Sequence, residues 1–236
     1  MSAALVVNAI QNKANATQAR HSQRFFKTSK GEYGYGDVFL GVPVPQLRKI
    51  ATEHKDLTLP QIEKLVASKF HEVRFCGLVI LTMQFNSATN GVEHKKFFDF
   101  YMKQLKAERV NNWDLIDVTA PTIGQYLIGS GSSTQMLLKL AKNSSLWQRR
   151  AAIVFTFAFI REGIPQPTLV VAKQLLHDDE DLIHKATGWM LREMGKRNPI
   201  ELRKFLEENV SVMPRTMLRY SIEKFSAVER KKWLAK

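Results

Sequence analysis
Asp117 is the residue of this sequence best placed to do chemistry. It follows Trp113 by four positions, so on a helix the carboxylate and the indole share one face about one turn apart. A preorganised carboxylate stabilises positive charge developing beside it. Indole faces add cation–π attraction of about 1 kcal/mol each, more when desolvated. Trp189 joins the pair through an internal repeat, and a row of cations accompanies the three. A lone tryptophan is ordinarily a core ring. Two rings flanking a carboxylate beside that row point instead to a site.

The repeat emerges when five segments are aligned on Arg74, Asp114, Arg150, Lys185 and Arg219, which lie 40, 36, 35 and 34 residues apart. Each interval accommodates two helices and two short turns, the size of a HEAT-type helical pair that stacks into a curved solenoid. Four of the five anchors are basic, and stacking lines up Arg74, Arg150, Lys185 and Arg219 as a ridge suited to the phosphates of a duplex. Three residues after each anchor stand Gly77, Asp117, Ile153, Gly188 and Ile222. In this register a carboxylate takes a slot that its sister repeats fill with small or apolar residues, and such a placement is costly unless the group is paired or has a task. Trp189 neighbours Gly188 and is expected near the same face.

The elements that carry these residues are helical. Apolar residues recur at helical spacing in Ile62, Leu65, Val66 and Phe70, and again in Leu182, Ile183, Ala186, Met190 and Met194. Pro43, Pro45, Pro60, Pro121, Pro165, Pro167, Pro199 and Pro214 punctuate the chain at helix-length intervals. Asp178 or Asp179 is placed to cap the helix carrying Leu182, and Asn198-Pro199 to open the next. The expectation is an all-α, HEAT-like helical-repeat solenoid with a basic concave face. It forms a single domain over 1–236, with a helical N-terminal part to about 60 and repeats from about 61.

Composition narrows the partners. The 236 residues hold 35 Lys+Arg against 22 Asp+Glu, a formal charge of +13. Residues 1–31 contain five cationic side chains and no acid, which favours a polyanion, nucleic acid ahead of an anionic membrane surface. A single cysteine, Cys76, excludes an internal disulfide and a structural zinc site. The six histidines show no metal-ligand spacing. Gly36-x4-Gly41 lacks the Lys-Ser/Thr of a phosphate-binding loop, and no serine sits in a Gly-x-Ser-x-Gly elbow. The longest apolar run, Ala151 to Ile160, is too short to span a bilayer, and the N-terminus lacks a signal-peptide pattern. A cytoplasmic monomer without metal or cofactor is expected.

Three separated motifs add a resemblance. Asn112-Trp113-Asp114-x-x-Asp117-x-x-x-Pro121, Trp147-Gln148-Arg149-Arg150-Ala151-Ala152-Ile153 and Lys185-Ala186-x-Gly188-Trp189-x-Leu191-Arg192-Glu193 occur in that order. With Phe39-Leu40-Gly41-Val42-x-x-Pro45-x-Leu47-Arg48, they resemble the AlkD family of bacterial DNA alkylation-repair glycosylases over about residues 20–225. The resemblance implies a HEAT-like solenoid that removes N3- and N7-alkylated purines from duplex DNA, working from the backbone side of a still-stacked lesion. It implies that Trp113, Asp117 and Trp189 form the catalytic cleft and that Arg150 binds DNA there. Phe25 or Phe26 replaces a tyrosine frequent in that family. Phe25, Arg48, Arg74, Lys185, Arg192 and Arg219 are the further residues expected to touch DNA. The segment 31–37, rich in Gly and Tyr, looks like an insertion with no assignable role. Two other functions fit parts of the pattern: a non-catalytic DNA-binding scaffold of the same family, and a HEAT scaffold for an acidic protein, which would need no aspartate at 117.

Overall fold
The computed structural model describes residues 1–129 and 131–236. The described residues form fourteen α-helices, namely α1 (Ala3–Gln11), α2 (Ala16–Phe25), α3 (Val44–Glu53), α4 (Leu59–Val66), α5 (His71–Ser87), α6 (Gly91–Lys106), α7 (Trp113–Ile123), α8 (Ser133–Ala141), α9 (Leu146–Arg161), α10 (Gln166–Gln174), α11 (Asp181–Arg197), α12 (Pro199–Asn209), α13 (Arg215–Ser221) and α14 (Ala227–Leu234). A 3₁₀ turn at Gly124–Leu127 follows α7, and the single β-bridge described pairs Val38 with Phe70. The all-α expectation holds.

Local chemistry sets the helix starts. Pro45, Pro60, Pro167 and Pro199 lie in first turns, where an N–H would have no intrahelical partner. Asn15, Asn90, Ser145 and Ser226 accept bonds from the first-turn amides of α2, α6, α9 and α14. Two expected boundaries differ. Pro121 lies inside α7, whose helix gives way to the 3₁₀ turn two residues later. Helix α11 starts at Asp181 after Glu180, with no side-chain cap. Asp178 is drawn instead to Arg149, accepting from its Nε at 2.6 Å.

The chain packs as two compact units, residues 1–119 and 120–236. In the first, α5 is the central element, packed on α3, α4 and α6 and buried on almost every face of its first four turns. Its Cys76 is enclosed, and burial pushes the thiol up to about 12, so it is inert at neutral pH. In the second unit, α9 packs on α8, α10 and α11, and α11 on α12 and α13. Gly188 permits the α11–α13 approach: a Cβ there would lie 2.5 Å from the Met217 carbonyl oxygen. These neighbour relations are those of successive helical pairs. No described helix is long and apolar enough to cross a membrane.

Candidate functional site
The first turn of α7 presents Trp113 and is fixed by its own flanks. The Asn112 side-chain oxygen accepts from the Trp113 amide at 2.9 Å, and Asp114 Oδ1 accepts from the Leu115 amide at 2.8 Å. The Trp113 ring stacks on Phe26, with centroids 5.3 Å apart and planes 18° apart, and meets the edge of Phe25 at 5.9 Å. Phe26 stacks in turn on Phe39 at 4.9 Å, and Phe39 on His71 at 4.5 Å. Both Phe25 and Phe26 therefore touch Trp113, and Phe25 remains 66% exposed.

Beneath this column lies a buried charge cluster. His71 Nδ1 is 3.1 Å from Asp37 Oδ2, and its Nε2 is 2.8 Å from Asp114 Oδ2. Asp37 also accepts from Arg74 Nη2 at 2.5 Å and from Asn112 Nδ2 at 2.9 Å. Burial alone would push Asp37 up, but bonds from His71, the Arg74 guanidinium and Asn112 outweigh it and hold the carboxyl below its ordinary range. Burial likewise opposes a charged His71. The charge and hydrogen bond of Asp114, with the bond from Asp37, overcome that and raise the imidazole to about 9.

Asp117 lies one turn beyond Trp113, half-buried. The Tyr101 phenol is fully enclosed and donor to no solvent. Burial raises its pKa, the hydrogen bond from Thr119 at 3.0 Å lowers it, and the nearby Asp117 charge raises it further. Asp117 is thus close enough to Tyr101 for its negative charge to be felt there.

Helix starts correct the repeat register. The first i→i+4 amide donors of α5, α7, α9, α11 and α13 are Arg74, Ile116, Arg149, His184 and Leu218. Counting from those starts, the fifth helical residues are Phe75, Asp117, Arg150, Lys185 and Arg219, and three positions on stand Leu78, Ala120, Ile153, Gly188 and, just past the end of α13, Ile222, these last five all buried. Ala120 occupies the apolar slot, and Asp117 is instead the anion in a row whose later members are cationic. Arg74 also moves: its Nη1 donates to the carbonyls of Ser68 and Lys69, six and five residues back, as Arg149 Nη1 does to Asn143 and Ser144. Arg74 is the counterpart of Arg149, not of Arg150. Only 5% exposed and paired with Asp37, it is a buried structural cation and not part of a phosphate-facing ridge.

A profile of the DNA alkylation repair enzyme family matches residues 6–225. The chain belongs to that family. A solved structure described as a predicted DNA alkylation repair enzyme from Enterococcus faecalis is 17% identical, with a TM-score of 0.71 over 91% of this chain and 98% of that one. At that identity the likeness speaks for the fold. No curated protein matches the sequence.

In this DNA alkylation repair protein the second unit holds all but one of the remaining expected residues. Trp189, half-buried on α11, lies 6.0 Å from Phe157. Arg150 is 4% exposed and donates through Nη1 to the Leu182 carbonyl at 2.6 Å, tying α9 to the first turn of α11. Lys185 pairs with Asp181 at 2.7 Å and keeps 42% of its side chain exposed. Arg192 bonds Glu193 at 3.0 Å and also Glu223. Arg219 and, in the first unit, Arg48 are exposed. Asp37 and His71 lie 76 and 42 residues before Trp113 and carry no local motif, so spacing along the sequence does not bring them to this site. The one available signal was an Asp closing the Gly/Tyr-rich segment, and that segment now has a role as the carrier of Asp37.

Proposed function
We propose that this member of the DNA alkylation repair family is a DNA glycosylase that hydrolyses the N-glycosidic bond of cationic N3- and N7-alkylated purines in duplex DNA. One observation carries the reading: Asp117 lies one turn from an indole whose plane is fixed by stacking on Phe26 and by bonds at both neighbouring residues. Alkylation at N3 or N7 makes the purine a cation that leaves with little help from an acid. As the C1′–N bond stretches, its electron pair goes to the base, which departs neutral, and positive charge moves to the sugar. The Asp117 carboxylate stabilises that charge and orients the water that attacks C1′, and the proton that water loses passes to solvent. The Trp113 face adds cation–π attraction.

Trp189 supplies a second indole on the strength of its motif match, and Arg150, buried against the Leu182 carbonyl, acts on DNA through the first turn of α11 that it holds. Arg48, Lys185, Arg192 and Arg219 meet phosphates, and Phe25 offers an exposed ring beside Trp113. The protein acts as a monomer, without metal or cofactor, on DNA in the cytoplasm. Incubation with methylated duplex DNA, followed by chromatography of released bases, tests this. Release of 3-methyladenine, 7-methyladenine or 7-methylguanine is expected, and tight duplex binding with no base release would replace the enzyme by a scaffold.

A further inference from the structure
The column of rings under Trp113 and the charge cluster under α7 meet at one residue. Starting at Trp113, the contacts run to Phe26, Phe39 and His71, and from His71 Nε2 back to Asp114, the residue bonded covalently to Trp113. From His71 Nδ1 a second path runs through Asp37 to Asn112, the other neighbour of Trp113. His71 is therefore where the support of the ring and the support of the backbone join. We propose that His71, bonded through both ring nitrogens to Asp37 and Asp114, is the positioning residue that sets the Trp113 ring. The inference concerns Trp113 of the proposed glycosylase site and in that respect rests on that reading.

The chemistry requires a charged ring. Ionised carboxylates only accept, so two carboxylate partners need a proton on each nitrogen. Two anions, Asp37 and Asp114, then balance two cations, His71 and Arg74, which suits an enclosed cluster. The groups facing His71 are accounted for. The loop before α3 brings Asp37 with Phe26 and Phe39, α7 brings Asp114, and α5 itself brings Arg74. Glu72, the next residue on α5, is occupied by the amides of Leu40, Gly41 and Val42. Loss of one proton leaves a ring nitrogen facing a carboxylate, lone pair against lone pair. The contact with Asp37 or Asp114 then opens, and the Trp113 ring loses one of its two anchors.

The raised imidazole value, about 9, puts that event in an accessible range. The test uses the full chain and has two arms. In the first, without DNA, the emission of the wild type is titrated from pH 7 to 10.5 and that of Trp113→Phe is subtracted, while the His71 ring protons are followed by NMR. The Trp113 emission is expected to step with the loss of the His71 proton, and the step is expected to vanish in His71→Gln. Emission that stays flat while His71 deprotonates overturns the proposal. In the second arm, excision by His71→Gln is compared with wild type at pH 7. A kcat about 10- to 100-fold lower with KM within about twofold is expected, the cost of a misplaced contact group. Equal kcat overturns the proposal. If His71→Gln fails to fold, the wild-type titration still decides. If neither protein releases any base, the glycosylase reading falls while the emission arm still tests His71.

Discussion
Nε2 of His71 lies 2.8 Å from Oδ2 of Asp114, three residues ahead of Asp117 on the same helix. An ion pair enclosed in the first unit thus ends one helical turn from the carboxylate assigned to the chemistry. Removing either partner of such a pair strands a buried charge, at a cost of about 3–5 kcal/mol.

Stability should fall as pH rises toward alkaline values. The folded His71 value of about 9 stands above the ordinary 6.5, so the charged ring stabilises the fold fully below about 6.5. That contribution, on the order of 3 kcal/mol, drains away as pH rises through about 9. Loss of positive charge elsewhere on this basic chain acts in the opposite direction, so the difference between wild type and His71→Gln isolates the effect. Chemical denaturation at pH 6, 8 and 10 should show that difference shrinking. A difference constant across the range contradicts the charged cluster.

The helices were legible because apolar spacing and proline placement are local. The charge cluster was not, because Asp37, His71 and Asp114 belong to three segments that only tertiary packing joins. Asp117 was singled out for a reason that the backbone corrects. Residue types alone align Asp117 with Gly77 and Ile153, since small and apolar residues occur at both the seventh and eighth helical positions. Only the position of the first amide bond separates those rows. Burial of Arg74 and Arg150 was equally hidden, because a sequence lists cations without their partners.

Asp117→Asn should lower base release about 100-fold or more while leaving duplex affinity within about twofold, since it removes transition-state charge stabilisation and keeps shape. Single-turnover excision and fluorescence anisotropy measure the two quantities. Unchanged excision removes Asp117 from the mechanism.

The basic residues should separate into two groups. Lys185→Ala and Arg219→Ala should each reduce the slope of log affinity against log salt by about 1, as for a lost phosphate contact. Arg74→Ala should change stability instead, because it leaves Asp37 buried with one partner fewer. Thermal melts and salt titrations on the three variants distinguish the groups. An Arg74→Ala protein of normal stability and reduced salt slope would return Arg74 to the DNA-facing set.

Gly188→Ala should destabilise the second unit by about 1–3 kcal/mol, as overpacking does. The new methyl would meet the Met217 carbonyl oxygen and Tyr220 Cβ, each at 2.5 Å. Backbone cannot yield there without parting α11 from α13. Urea denaturation gives the value, and a variant as stable as wild type would mean that the helix pair relaxes at no cost.

Leaving-group charge should govern which bases are released. His71 directs both ring protons at carboxylates and is enclosed, so it has none to offer a departing base. Cys76 and Tyr101 are also buried, with pKa values raised by that burial. Among these groups none meets the requirement for a general acid, which must reach the leaving nitrogen. In the proposed mechanism catalysis then relies on charge the base already carries, with Asp117 and Trp113 stabilising the sugar cation. Duplexes containing 7-methylguanine should be processed, while those containing hypoxanthine or uracil should persist under the same conditions. Trp113→Ala and Trp189→Ala should each slow release of the cationic base, and a double variant should reveal whether the two effects couple. Efficient excision of a neutral base would require a proton donor, and with it a different mechanism.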